Sequence, residues 1–255
     1  MNFKPYIRTH ADELLADLAA LIQIPSVEGE PAPDAPFGAE VARCLQKTLA
    51  LCEKLGFRTV NMDNRVGWCE YGEGDEMVAA LGHLDVVPAG DGWQAAEPFS
   101  GEIKDGRIYG RGTMDDKGPT VAALYALAAL KDAGVVPSRR IRILFGTNEE
   151  TGCQDMVWYL EHGGEVPVMG FTPDGEYPII NGEKGIMNCV YARKLNQTGE
   201  YRLTRLEGGT ARNVSPAAAV AELTRPAPDA ANIALDKTHV PPVDGGTQLQ
   251  AAGLP

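Results

Sequence analysis

Four stretches of the 255-residue chain set metal-ligating or proton-transferring side chains beside apolar runs. "MVAALGHLDVVP" (77–88) holds His83 and Asp85, two residues apart. "YGRGTMDDKG" carries the adjacent pair Asp115 and Asp116. "RIRILFGTNEE" ends in Asn148, Glu149 and Glu150, and "VMGFTPDG" holds Asp174 near its end. Each has an ordinary reading alone: a His-x-Asp turn, an Asp-Asp N-cap, a solvated Glu pair at a helix start, a turn aspartate. Gathered at one edge of a sheet, these carboxylates would repel one another and hold raised pKa values unless cations neutralised them. One imidazole among carboxylates suits zinc, manganese or cobalt better than calcium. It is also enough for a two-metal site with one bridging carboxylate, where a water between the cations loses its proton near neutral pH. Asp85 is spaced to orient the His83 ring.

The elements that must position these residues alternate in type. "THADELLADLAALIQI" repeats its leucines at helical spacing, with Thr9 as its expected N-cap. A Pro- and Gly-rich loop follows, then a second amphipathic helix over "AEVARCLQKTLALCEKLGF", closed by Gly56. "FRTVNM", "VGWCEYG" and "MVAALGH" read as strands, and the third is apolar on both faces, as a covered central strand is. "GPTVAALYALAALKDAG" reads as a helix with Pro119 in its first turn and Gly134 at its end. "RIRILFGT" is a strand, "CQDMVWYLEHGG" a shorter helix and "VMGFTPDG" a strand. This predicts an α/β fold: a mixed, mostly parallel sheet with helices on both faces. Ligands of such sheets bind beyond the carboxyl ends of the strands, where three of the stretches end; the fourth places Asp115 and Asp116 just before a helix. After residue 186 the patterning weakens. "IMNCVYARKLNQTGEYRLTRLEGG" predicts two strands and "SPAAAVAEL" a short helix. The expected division is 1–186 for a metal-binding domain and 187–255 for a smaller α+β piece.

Composition narrows the partners. The formal charge is −12, from 35 acidic and 23 basic residues, and such a surface repels phosphate backbones and anionic lipid. The expectation is therefore no nucleic acid and no membrane partner. Cys44, Cys52, Cys69, Cys153 and Cys189 are odd in number and irregularly spaced, which predicts free thiols in a reducing compartment. The N-terminal stretch has acids at Asp12, Glu13 and Asp17 and does not read as a secretory signal, so a cytoplasmic location is expected. Gly110 and Gly112 lack the third glycine of a dinucleotide loop, and there is no P-loop or Gly-x-Ser-x-Gly.

Together, "GHLDVVPAGDGW", "GRGTMDDKGP", "GTNEETG", "FTPDGEYP" and "EGGTARNVSP" resemble the M20 family of metallopeptidases. The likeness is greatest to its dipeptidase branch, the PepV-like and Sapep-like Xaa-His dipeptidases. The motifs keep the family's order and spacing over essentially all of residues 1–220. The resemblance implies hydrolysis of a dipeptide's peptide bond by a water activated between two divalent ions, with Zn²⁺ first and Mn²⁺ or Co²⁺ as alternatives. His83 would bind the first ion, Asp85 would hold its ring and Asp174 would complete that site. Asp115 would bridge both ions, with a cis bond to Asp116, and Glu150 would bind the second. Glu149 would be the general base, and Asn213 would bind substrate or the developing oxyanion. An M20 amidohydrolase that deacylates N-acyl amino acids is the nearest alternative.

Full members of the family are close to twice this length and supply a second metal-binding histidine from a returning segment. His10 and His162 read as surface residues, and His239 lacks the context of that ligand. The resemblance thus implies most of a catalytic domain and the start of a lid, C-terminally truncated, and leaves an inactive metal-binding fragment as a further alternative.

Overall fold

The computed structural model describes residues 2–175, 180–182, 185, 187, 189–198, 200–209, 216, 218–224 and 233–234. The chain divides into two compact units, Met1–Gly182 and Glu183–Pro255.

The first unit opens with helices α1 (Lys4–Thr9), α2 (Ala11–Ile22) and α3 (Ala39–Lys54) and strands β1 (Arg58–Met62), β2 (Val66–Tyr71) and β3 (Met77–His83). A small hairpin, β4 (Glu102–Lys104) and β5 (Arg107–Tyr109), precedes α4 (Lys117–Asp132), β6 (Arg140–Gly146), α5 (Gln154–Glu161) and β7 (Met169–Phe171). The five-stranded sheet has the order β1-β2-β6-β3-β7. β3 pairs in parallel with β6 and β7, β6 pairs antiparallel with β2, and β2 antiparallel with β1. Every strand but β2 therefore points the same way, and the mixed, mostly parallel sheet expected from the sequence is what forms.

Alternation along the strands sorts the core into two layers. Cys69, Ala80, Ile143 and Phe145 face the layer built by Leu21 and Ile22 of α2, Leu45 and Cys52 of α3, and Leu124 and Tyr125 of α4. Val66, Met77, Ala79 and Leu144 face the other way, against Tyr159 of α5. Helices thus cover both faces, and β3 lies between two parallel neighbours with its carboxyl end in the middle of the edge. Lys117, the first residue of α4, is fully buried, and its Nζ donates to the carbonyls of Leu21 (3.0 Å) and Ile24 (2.9 Å). This ties the end of α2 to the loop that carries Asp115. Among the described residues, no helix is long and apolar enough to cross a membrane.

Gly56 and Gly134 follow their helices at φ +80° and +67°, as helix-ending glycines do. Thr9 does not cap α2. His10 occupies the cap position without a side-chain capping bond, while the Thr9 hydroxyl donates back to the Pro5 carbonyl, because a short helix α1 already precedes it. The five cysteines are free, as expected; three are buried, while Cys153 and Cys189 are exposed.

In the second unit, β8 (Arg202–Gly208), β9 (Ala219–Thr224) and β10 (Ile233–Ala234) form an antiparallel sheet of order β10-β9-β8. Two expectations fail here. Among its described residues, the stretch read as two strands holds one, β8; residues 189–198 have no regular structure. The stretch read as a short helix runs into β9, a strand paired with β8 from Arg202↔Thr224 to Gly208↔Ala219. Alanine favours helix in isolation, but so short a run cannot sustain one, and pairing along β8 satisfies its backbone instead.

Candidate metal centre

The sheet brings the predicted residues to one edge by register. His83 is the last residue of β3 and pairs with Gly146, the last of β6. Glu149 and Glu150 come in the turn after β6, and Asp174 stands three residues beyond β7. Asp115 comes from the loop just before α4, and its bond to Asp116 is cis.

His83 is 3% exposed, and its two ring nitrogens face different partners. Nδ1 donates to the backbone carbonyl of Asp85 at 3.0 Å and lies 3.4 Å from that residue's Oδ1. Nε2 lies 2.9 Å from Asp115 Oδ1, 3.5 Å from Asp174 Oδ2 and 4.0 Å from Glu149 Oε2. Ligand atoms of His83, Glu149 and Asp174 all fall within 4.8 Å of one another. Imidazole ringed by carboxylates at this spacing fits a divalent cation that takes nitrogen and oxygen ligands. Glu150 stands a little apart, where its Oε1 accepts the Val87 amide at 3.3 Å.

Asp85 does more than orient an imidazole. Its Oδ1 accepts the Glu149 amide at 3.1 Å and its Oδ2 the Glu150 amide at 3.0 Å. One buried carboxylate therefore joins the end of β3 to the turn after β6. Asp116 does not cap α4 in the ordinary way. Its Oδ2 reaches across to the His83 amide (3.1 Å) and the Thr120 hydroxyl (2.9 Å), while its buried Oδ1 has no hydrogen-bond partner among the described residues.

The electrostatics show how crowded the charges are without a cation. Burial alone lowers the His83 pKa, but the hydrogen bond and charge of Asp85, with Asp116 and Glu149, push it up to about 10. Burial raises Asp116 to about 6, against the bonds from Thr120 and His83. Burial and the charge of Asp115 raise Glu150 to about 7. Burial, together with Asp174, Asp85 and Asp115, also raises Glu149 against the pull of His83. Burial is the largest cause of the three carboxylate shifts, and neighbouring acids add to each, a repulsion that a cation among them would offset.

The remaining predicted residues fall elsewhere. Asn213 and His239 lie outside the described residues. His10 and His162 donate through Nδ1 to the carbonyls of Tyr6 and Trp158, four residues back, and stack on those same side chains. Sequence reasoning passed over Asp155 and the reach of Asp116 to His83. A usable signal was present: glycines Gly82 and Gly146 interrupt otherwise apolar strand ends.

Comparison with known proteins gives the family. The family model for peptidase family M20/M25/M40 matches residues 79–254. YtjP of Bacillus subtilis (strain 168) is 42% identical over 231 residues, which cover 89% of this chain and 50% of that protein. The Beta-Ala-Xaa dipeptidase of Lactobacillus delbrueckii subsp. lactis is 40% identical over 240 residues, 92% of this chain and 51% of that protein. The crystal structure of human carnosine dipeptidase 1 superposes with a TM-score of 0.57 at 26% identity, covering 68% of this chain and 40% of that one. The chain spans about half the length of the curated relatives it matches. With the family model covering well over half of its residues, this chain belongs to peptidase family M20/M25/M40.

Proposed function

We propose that this chain supplies the metal-binding catalytic part of a dipeptidase, a hydrolase that cleaves the peptide bond of small dipeptides. The observation that carries this reading is Nε2 of buried His83 facing Asp115, Asp174 and Glu149 at one strand edge. His83, Asp174 and Asp115 would hold a first divalent ion, and Asp115 and Glu150 would serve a second. Zn²⁺ suits this donor set best, with Mn²⁺ and Co²⁺ as alternatives. Bound there, such ions would supply Lewis acidity to the scissile carbonyl and lower the pKa of a water. Glu149, half-exposed and raised above its ordinary value by burial, takes the proton of the attacking water and delivers it to the leaving amine. Asp85 keeps the His83 ring and the Glu149–Glu150 backbone in one frame. Asn213 binds substrate or the oxyanion, from a lid that begins after about residue 186. The protein works on small peptides in the cytoplasm.

The relatives' names favour a dipeptidase over a deacylase. Turnover of a dipeptide panel that includes β-alanyl dipeptides, set against N-acyl amino acids and with added Zn²⁺ or Mn²⁺, tests the reading. Dipeptide cleavage lost in Glu149→Gln supports it. Cleavage indifferent to that substitution, or restricted to N-acyl amino acids, defeats it.

A further inference from the structure

β6 reaches the Glu149–Glu150 pair through Thr147 and Asn148, and the side chain that fixes this passage is Asp155, which has no part in the chemistry above. Asp155 lies in the first turn of α5 and is 1% exposed. Its Oδ2 accepts the amides of Thr147 (2.6 Å) and Asn148 (3.1 Å), and its Oδ1 accepts that of Met156 (2.7 Å). The carboxylate fills the place that a side chain at residue 146 would need. A Cβ built on Gly146 would lie 2.9 Å from Asp155 Oδ2 and 3.5 Å from the Cβ of His83. Gly146 is the register partner of His83, and its carbonyl accepts the Leu84 amide. The buried anion thus sits directly behind the junction of the two strand ends.

An aspartate serving only its own helix would bond that helix's amides, but two of these three donors belong to the strand end. Burying a carboxylate is costly unless hydrogen bonds meet its charge, and charge-assisted bonds hold geometry more tightly than neutral ones. Asn148 extends the hold: its carbonyl accepts the Cys153 amide, its Oδ1 the Gln154 amide at 3.1 Å, and its Nδ2 donates to the Thr151 hydroxyl. The next two amides, of Glu149 and Glu150, are taken by Asp85.

We propose that Asp155 is a positioning residue for the hydrolysis: its carboxylate clamps Thr147 and Asn148 and so sets where Glu149 and Glu150 stand relative to His83. The clamp rests on geometry alone; its consequence for metal and turnover rests on the dipeptidase reading above. Asp155→Asn keeps size and shape but turns one acceptor into a donor, so it can serve the amides on only one side. Two measurements on the 255-residue chain test it: hydrogen exchange over 147–153 without metal, and affinity for Zn²⁺ alone. Exchange is expected to quicken by about tenfold or more in that segment while α3 and α4 keep their rates. Zn²⁺ affinity is expected to fall about 10- to 100-fold, the range for residues that support a metal ligand. In a Glu150→Gln background the same substitution should change affinity by no more than about twofold, since the ligand it positions is gone. A merely structural aspartate would weaken Zn²⁺ equally in both backgrounds.

Unchanged exchange overturns the clamp. Quicker exchange with wild-type Zn²⁺ affinity overturns its bearing on the site. A wild-type chain that holds no Zn²⁺, while Asp155→Asn still loosens the turn, overturns the metal-hydrolase reading and supports the clamp. If Asp155→Asn does not fold, Asp155→Glu keeps the charge, displaces both oxygens by one methylene and is judged by the same two measurements.

Discussion

The carboxyl ends of β3 and β6 lie side by side, and each reaches its last residues through a glycine that makes room for a buried carboxylate. At β3 the glycine is Gly82: a Cβ there would lie 2.7 Å from Asp116 Oδ2 and 1.9 Å from Thr120 Oγ1. At β6 it is Gly146, with Asp155 Oδ2 at 2.9 Å. Both carboxylates come from the start of a helix and accept amides from the strand end. The groups that the two ends present are unlike. β3 presents one imidazole, almost wholly buried and bonded through Nδ1. β6 presents two carboxylates in a turn, and the Glu149 side chain is 48% exposed. A buried ring held from behind suits a ligand that must not move. A half-exposed carboxylate on a braced turn suits a group that must pick up a proton and hand it on.

If that division of labour is right, the two ends separate under mutation. The largest effect belongs to Glu149→Gln, which should lower dipeptide turnover by about 10²- to 10⁴-fold while Zn²⁺ affinity changes little. Steady-state kinetics beside Zn²⁺ titration checks it; parallel loss of metal and turnover would show that Glu149 is mainly a ligand. His83→Ala should do the reverse, weakening Zn²⁺ by about 100-fold or more, beyond what loss of a supporting residue costs. Calorimetric titration reads this, and near-wild-type affinity would remove β3 from the metal site.

A third prediction concerns protons. The metal-free imidazole of His83 is held up to about 10, above its ordinary 6.5, and Glu150 to about 7, above its ordinary 4.5. Groups raised on folding stabilise the metal-free fold at low pH and lose that contribution as pH climbs through their folded values. On the proposed ligand set, filling both metal positions would need both groups deprotonated, so each proton still held would leave. Zn²⁺ affinity should therefore climb by about two decades per pH unit below pH 7 and by about one between pH 7 and 8. Titrations from pH 6 to 8 decide it; a flat profile would mean that neither group gives up a proton to the ion. The smallest effect compares the glycines. Gly82→Ala should destabilise by about 1–3 kcal/mol and Gly146→Ala by less, because the crowding at Gly82 involves Thr120 as well as a carboxylate. Urea unfolding of both variants ranks them, and equal losses would make the two ends mechanically equivalent.

Most of the first unit was legible in the sequence because its signals are local. Leucine spacing marks α2 and α3, and the doubly apolar "MVAALGH" marks a covered strand. The hairpin β4–β5 was overlooked although Asp105-Gly106 is a strong two-residue turn, with φ of +52° and +71°. The misread β9 had no such local signal. Ala219–Thr224 becomes a strand through pairing with β8, which depends on a partner some fifteen residues away.

By itself the sequence determined the kinds of group available and their place at strand ends: His83, Asp115, Glu149, Glu150 and Asp174 follow apolar runs or precede a helix, and such punctuation is local. Only the tertiary structure decided which atoms meet. It set Asp115, rather than Asp116, beside Nε2 of His83, turned Asp116 onto the His83 amide, and gave Asp85 the amides of Glu149 and Glu150. It also drew Asp155 under Gly146. Those pairings depend on the parallel register of β3 against β6, which joins residues about sixty positions apart, and no local pattern states that register.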